Sequence, residues 1–473
     1  MIKLKQVILQ LSDESFGQLK DSFTKTKADN FVLLLESYRT DAATDKEIVE
    51  SLGISSNSFY VLKSRLFDRI QEFLSVDVFS NQETLIRQLL QVPEICFNRP
   101  REIAIAFLQK LEKELLKYDL HNDLMVVYSA LKKMHLYSEK YFYYSQLFNK
   151  HAGLGLSLEK AEEILGNFNR MLGQYNFSKN QQYLDTLNFL RIEIANLYAL
   201  NPSRQIEMIR NFIELQLIIY AQETNSIEHN TEELLQSTRK IFSELPETAA
   251  QKKWEIVLDY LCFEYYFSKN ELKAALQYYE KVNARITTFL LYNNICLASR
   301  FLISKIKFCD ELDRIEDLEM IKPGGELLSD SADIHARVLI GIYTAMLSFK
   351  HKKIKEAINI LNDILNTVSF KDFFHESINV KMTLAYFYLV LKDFDLVEIT
   401  LKSVSRKIKT EEPDKYSQVL FLIKVFDNEM GNTGSAKSIN KSKDLFTLFL
   451  ANNTKNNEVL GHLIPELKRK YHN

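Results

Sequence analysis

From Trp254 onward one pattern recurs, and that recurrence limits what the chain can build. Trp254, Val257, Leu258, Leu261, Cys262 and Tyr265 fall at i, i+3, i+4, i+7, i+8 and i+11, which places them along one face of a helix. A short polar break, Ser268 to Asn270, leads into a second face made by Ala274, Ala275, Tyr278, Tyr279 and Val282. The layout returns as Val338, Ile342, Ala345, Met346 and Phe349, a break at His351 to Lys353, then Ile354, Ala357, Ile358, Leu361 and Leu365. It returns again as Val380, Leu384, Phe387, Tyr388 and Leu391, a break at Lys392 and Asp393, then Phe394, Val397, Leu401 and Val404. Ala274 to Ala357 is 83 residues and Ala357 to Val397 is 40, so the first interval has room for two units of a period near 40. Each helix pair keeps an apolar face that only the next pair can cover, so the units are expected to stack.

The rest of the composition agrees with a helical chain. Twelve Gly and seven Pro in 473 residues is little for sheets, hairpins and phosphate loops, which consume these residues, and leaves long helices with short connections. Hydrophobic residues at 46% and charged residues at 26% suit a chain that buries a core rather than a disordered one. The length implies two or three domains or an extended array. The expected organisation is a small helical domain at 1–80, a long-helix region at 81–245 and a repeat domain at 246–473. Loop signals fall near Pro93 to Pro100, His151 to Ser157, Asn176 to Gln181, Asn201 to Ser203 and Glu244 to Glu247.

A formal net charge of -2 gives no global field toward nucleic acid or an anionic membrane. Cys96, Cys262, Cys296 and Cys309 sit apart in apolar helical patterns, as small buried hydrophobes of a reducing compartment do. The apolar stretch after Lys3 and Lys5 is broken by Gln10 and Ser12, unlike a secretory signal. The longest apolar run, Leu384 to Leu391, is far short of the ~20 residues of a membrane span. A cytoplasmic location and no membrane partner are expected.

The repeated segment, about 254–410, resembles the tetratricopeptide repeat family. Cys262, Tyr265, Ala274 and Tyr278 match its alternation of small and large positions across two helices. Ala345 and Ala357 match the small positions of the next unit, with Ser348 and Leu361 where large aromatics are usual. Ala385, Tyr388, Val397 and Leu401 serve the third. Small side chains let two helix axes approach while the neighbour's bulk fills the gap. The resemblance implies an all-α solenoid of antiparallel helix pairs with a concave surface that takes a protein or peptide. The period is longer than the family's, which marks a divergent repeat.

A second resemblance lies near the N-terminus. Thr44 with Glu47 reads as a capping box, after helices through Phe16, Leu19 and Phe23, opened by Ser12 with Ser15, and through Phe31 to Tyr38. The following segment, DKEIVESLGISSNSFYVLKSR at 45–65, resembles the helix-turn-helix of bacterial regulators and of the promoter-reading region of sigma factors. Ile48 and Leu52 lie on its first helix, Gly53 in the turn, Ile54 behind it, and Phe59, Leu62 and Leu66 inward on the second. Val49 and Phe59 stand where the family has smaller residues. The resemblance implies DNA contact by Ser56, Asn57, Tyr60, Lys63 and Ser64, with Arg65 and Arg69 on phosphates. Residues 1–80 hold ten Lys plus Arg against twelve Asp plus Glu, where phosphate binding draws on basic side chains.

Other features read as structure. The aromatics of Tyr137 to Phe148 are expected to be buried between helices. His121 and His135 read as surface or boundary residues, and the carboxylates at Glu159, Glu162, Glu163, Asp310, Glu311 and Asp313 as solvated faces. Lys468, Arg469 and Lys470 suit the negative end of a final helix. Gly324 and Gly325 after Pro323 read as a plain loop, and no phosphate loop, nucleophile elbow or zinc-ligand spacing appears. No catalytic, cofactor or metal residue is assigned and no oligomeric state is fixed. The expected function is a non-enzymatic scaffold or adaptor binding a protein or peptide, with a DNA-binding regulator as the alternative.

Overall fold

The computed structural model describes residues 4–11, 13–26, 28–40, 44–76, 83–221, 231–244, 249–291, 295–318, 334–431, 436–454 and 458–471. These residues form helices and no strands. The chain divides into two compact units, the first of 1–155 with 322–331, the second of 156–321 with 332–473. The division falls within one helix, α9.

The first unit begins with α1 (Leu4–Gln10), α2 (Asp13–Lys25), α3 (Asp29–Thr40), α4 (Asp45–Leu52) and α5 (Ser56–Val76). They enclose a small core of Leu19, Phe23, Leu34, Leu35, Tyr38, Ile48, Phe59, Leu66 and Ile70. The capping box forms: the Thr44 hydroxyl accepts from the Glu47 amide, and the Glu47 carboxylate accepts from the Thr44 amide at 2.7 Å. Gly53 ends α4 with φ 62°, a conformation that an L side chain adopts only at a cost. Ser55 then caps α5 through the Ser58 amide at 3.2 Å. Ser12 and the side chain of Ser15 lie outside the described residues.

The same unit continues with α6 (Glu83–Asn98), α7 (Arg101–Lys117), α8 (His121–Met134) and the start of α9 (Lys140–Ser178). Their core is separate, built on Leu108, Leu111, Leu115, Leu124, Val127, Leu131 and Tyr144. Three expectations fail here. Gly153 and Gly155 do not make a loop, because α9 runs unbroken through 151–157. Only Tyr144 of the aromatic run is buried, whereas Tyr137 is 98% exposed and Phe142 and Tyr143 are also exposed, since α9 turns just one stripe to its neighbours. His121 and His135 are buried, not at the surface; His121 Nδ1 lies 3.1 Å from His151 Nδ1, and its Nε2 is 3.4 Å from Asp119.

The second unit takes up the remainder of α9 and adds α10 (Gln181–Leu200), α11 (Arg204–Gln216) with a π-helical end at Leu217–Ala221, and α12 (Thr231–Glu244). Then follow α13 (Ala249–Ser268), α14 (Leu272–Asn283), α15 (Ile286–Leu291) and α16 (Ile295–Glu311). After residues outside the description, including Pro323, Gly324 and Gly325, come α17 (Ile334–Lys350), α18 (Ile354–Thr367), α19 (Phe374–Leu391) and α20 (Phe394–Glu411). The unit ends with α21 (Ser417–Met430), α22 (Ala436–Asn452) and α23 (Ile464–Tyr471). Helices adjacent in sequence pack as neighbours: α13 on α14, α17 on α18, α19 on α20, α21 on α22.

One turn recurs through this unit. Asn270, Asp313, Lys352 and Lys392 all have φ between 54° and 61°. After each, an amide bonds back to a carbonyl five residues earlier: Glu271 to Tyr266, Arg314 to Cys309, Lys353 to Ser348 and Asp393 to Tyr388, at 2.8 to 3.0 Å. This six-to-one bond with a left-handed residue inside it is the Schellman way of closing a helix. The left-handed residues are 43, 39 and 40 positions apart, so a turn of the same kind falls midway in the long interval.

The same spacing orders the packing. Ala357 and Val397, each four residues after the N-cap residue of its helix, Lys353 or Asp393, are fully buried, and their equivalent in the earlier pair, four after the N-cap Glu271, is Ala275, also fully buried. Ala274, the neighbour that fits the sequence pattern, is only half-buried. Likewise Tyr279 is buried with Leu361 and Leu401, while Tyr278 is half-buried and stacks on Tyr266 at 5.6 Å. Cys262, Tyr265, Ala345, Ala385 and Tyr388 are buried on the first helices. A methyl group on Gly341 in α17 would stand 2.4 Å from Ile364 Cδ1 of α18, which shows how close these two helices come.

Residues 458–471 return across the earlier helices. Lys350 Nζ of α17 lies 2.5 Å from Asp310 Oδ1 of α16 and 2.5 Å from Glu466 Oε1 of α23, and Arg469 reaches both carboxylates at 2.8 and 3.0 Å. The Asp310 carboxylate is fully buried, so the solvated face expected there does not exist at this residue. The basic end falls in the last turn of α23, as expected, and two of its residues are also paired: Arg469 is held in this network and Lys470 pairs with Glu429.

Candidate ligand cavity and the outer face of the second helix of the N-terminal pair

The second unit encloses a cavity of about 650 Å³, within the range of small-molecule and short-segment sites. Its walls come from the C-terminal end of α9, the π-helical turn, α13, α16, α17, α19 and the returning segment 458–468. Exposed lining residues Ser268, Asn270, Glu311 and Lys468 mark a mouth, and buried His375, Glu376 and Asn379 a floor. The returning segment is pinned to that floor: the Leu460 amide donates to Asn379 Oδ1 at 2.7 Å, and His462 Nε2 lies 2.8 Å from the Thr383 hydroxyl.

The lining is charged and incompletely paired. Lys307 pairs with Glu458 at 2.7 Å. Arg300 stacks its guanidinium 4.5 Å above the Tyr220 ring and, among the described residues, makes no ion pair. Burial pushes the Glu264 carboxyl above the usual carboxylate range, against the pull of Ser304 and Arg300, and its Oε1 has no hydrogen-bond partner among the described residues. Burial likewise raises Glu376, whose Oε2 accepts from Asn379 Nδ2 at 3.0 Å.

Cationic groups shift the other way. Burial first, then the Arg300 charge, brings the Lys179 ammonium down to about 7. Its Nζ donates to Asn176 Oδ1 at 3.3 Å, and Asn176 Nδ2 has no hydrogen-bond partner among the described residues. Burial, then Lys179, Lys415 and Arg300, holds His375 well below the ordinary histidine value, with Nδ1 3.1 Å from the Tyr416 hydroxyl. Burial takes His462 down to about 3. A desolvated group of donors around one guanidinium, beside carboxyls that resist ionisation, can hold an oxyanion or accept a hydrogen-bonded segment.

None of these residues stands out in the sequence pattern. A signal exists, however: Glu264 interrupts the apolar run of α13, and Glu376 with Asn379 interrupts α19, a helix buried all round. Polar groups in such helices need a reason, because burying them costs free energy unless they are bonded.

In the first unit, the residues proposed for a groove lie together on α5. Ser56, Asn57, Ser64, Arg65 and Arg69 are exposed, and Tyr60 is 69% exposed. Lys63 instead turns inward: its ammonium is 2.9 Å from Asp45 Oδ2, and lies over the Tyr38 and Phe59 rings at 5.7 and 5.4 Å. Asp45 also accepts from the Tyr38 hydroxyl at 2.7 Å, so Lys63 braces α5 against α4 and α3.

No family model, curated protein or solved structure matches this chain. Among the described residues no group of His, Cys, Asp and Glu is arranged to hold a metal ion, and no helix is long and apolar enough to cross a membrane.

Proposed function

We propose that the chain is a non-enzymatic binding scaffold of the cytoplasm, a divergent tetratricopeptide-like solenoid whose second unit takes a short segment of a partner protein into its cavity. The observation that carries this reading is the cavity lining: among the described residues Arg300 makes no ion pair and Glu264 Oε1 and Asn176 Nδ2 lack hydrogen-bond partners, which offers bonds for something that enters. The mouth at Ser268 and Asn270 admits a chain end or loop, and the recurrent turns hold the wall-forming helices in register.

The test is capture of partners by the tagged full-length protein beside a Ser268→Trp variant, which narrows the mouth at an exposed helix end. Partners retained by the unmodified chain and lost from the variant support the cavity as the docking place. An identical set on both overturns it.

The exposed row on α5 favours a second reading, a DNA-binding regulator with the repeats as its sensing or dimerisation part. Tyr60, Asn57 and Arg65 present donors outward from a helix preceded by a tight turn. Salt-sensitive DNA binding that Tyr60→Ala with Arg65→Glu abolishes would support it; no binding by the unmodified protein at low salt would remove it.

A further inference from the structure

We propose that the cavity of the second unit holds a carboxylate or phosphate oxyanion against the Arg300 guanidinium, with the Lys179 ammonium and the Asn176 amide as further donors. The inference rests on the reading that this cavity is the binding site, and adds the chemistry of what binds.

Arg300 is the hub of the lining. Its charge acts on Lys179, His375, Glu376 and Glu264, yet among the described residues it has no carboxylate partner. The Tyr220 ring beneath it fixes the guanidinium plane, and that planar fork matches two oxygens of one anion. The carboxyls nearest in influence, Glu264 and Glu376, are both raised by burial against the pull of Arg300, and among the described residues neither forms an ion pair with it. Glu264 Oε1 and the donor Asn176 Nδ2 both lack a hydrogen-bond partner among the described residues. All four groups line the same space.

Lys179 supplies a proton-linked signature. The charged groups that face it are Arg300 and Lys415, which push its pKa down, and Glu458 and Glu376, which pull it up; burial outweighs both and leaves it near 7. At pH 7 it is therefore about half protonated, and an anion beside it would draw about half a proton from solution.

The experiment is titration calorimetry of the full chain at pH 7 in two buffers of different ionisation enthalpy. The probes are succinate, inorganic phosphate, and a five-residue peptide with blocked termini and one internal glutamate. At least one probe binds saturably, with a buffer-dependent heat equivalent to about half a proton taken up. Succinate or phosphate alone identifies a free small anion; the peptide alone identifies an acidic side chain of a partner's segment. Arg300→Gln weakens binding tenfold or more, Arg300→Lys weakens it less, and Lys179→Met removes the buffer dependence. A circular-dichroism melt of each variant reports whether it folds. Absence of heat with all three probes, equal affinity in a folded Arg300→Gln protein, or equal heats in both buffers overturns the inference. If partner capture still responds to Ser268→Trp while no anion binds, this inference alone fails. If anions bind while capture ignores Ser268→Trp, the scaffold reading alone fails.

Discussion

Replacing Lys350 by Met tests whether the returning C-terminal segment is held by charge. The Lys350 ammonium is 4% exposed and lies 2.5 to 2.7 Å from three carboxylate oxygens of Asp310 and Glu466. Without it, Asp310 keeps, among the described residues, the Arg469 partner, which is 41% exposed and shared with Glu466. Breaking a buried pair by removing one partner costs about 3 to 5 kcal/mol, because the remaining charge stays desolvated. The surviving Arg469 contact argues for the lower end, about 3 kcal/mol. At roughly 2 to 4 °C per kcal/mol for domains of a few hundred residues, the transition of the second unit should fall by about 6 to 12 °C. Scanning calorimetry of the full chain reads the shift, and hydrogen exchange of α23 amides shows where protection is lost. A triple variant, Lys350→Met with Asp310→Leu and Glu466→Leu, should recover much of the loss, since no buried charge is left uncompensated. A Lys350→Met protein that melts within a degree of the original, with α23 exchange unchanged, would refute the reasoning.

Ala357→Trp should lower stability by about 1 to 3 kcal/mol through overpacking of a fully buried seam; an unchanged melting temperature would count against that seam. Lys352→Gly with Lys392→Gly should raise it by about 1 kcal/mol, since the left-handed strain relieved exceeds the chain entropy glycine adds, and denaturant midpoints would show a fall instead if the turns were not left-handed. His462→Gln addresses pH. The folded chain holds His462 near 3 against an ordinary 6.5, so the unfolded state binds the extra proton and stability is lost as pH falls from about 6.5 toward 3. Glu264 and Glu376, raised above 4.5, act in the opposite sense, and comparing variant with original cancels them. Urea titrations at pH 7 and 5 should show a smaller loss in the variant; equal losses would exclude His462 as a source.

The helical class was legible because it rests on apolar spacing, which local sequence carries. The register of the first pair was not. Ala274 and Ala275 are adjacent, as are Tyr278 and Tyr279, so a small residue followed four places later by an aromatic fits twice. Only the Glu271 to Tyr266 bond selects the second fit. The turns were obscured for a related reason: Lys352, Lys392 and Asp313 do the work usually given to glycine, so they read as ordinary polar residues. Thr44, Glu47 and Gly53 were readable because a capping box and a glycine stop are local events. The cavity was not, since Arg300, Glu264, Asn379 and Lys179 come from four separate helices or turns and meet only through tertiary packing.

The wall formed by 458–468 also fixes an order of events during synthesis. A ribosome delivers α9, α13, α16 and α19 long before it delivers Leu460, His462 and Glu466, which bond to Asn379, Thr383 and Lys350. Until those residues emerge, the nascent chain carries the floor of the cavity bare, with Glu376 and Asn379 open to water. Closure of the cavity therefore comes late in translation, and a product truncated before residue 458 should be a ready target for chaperones and proteases.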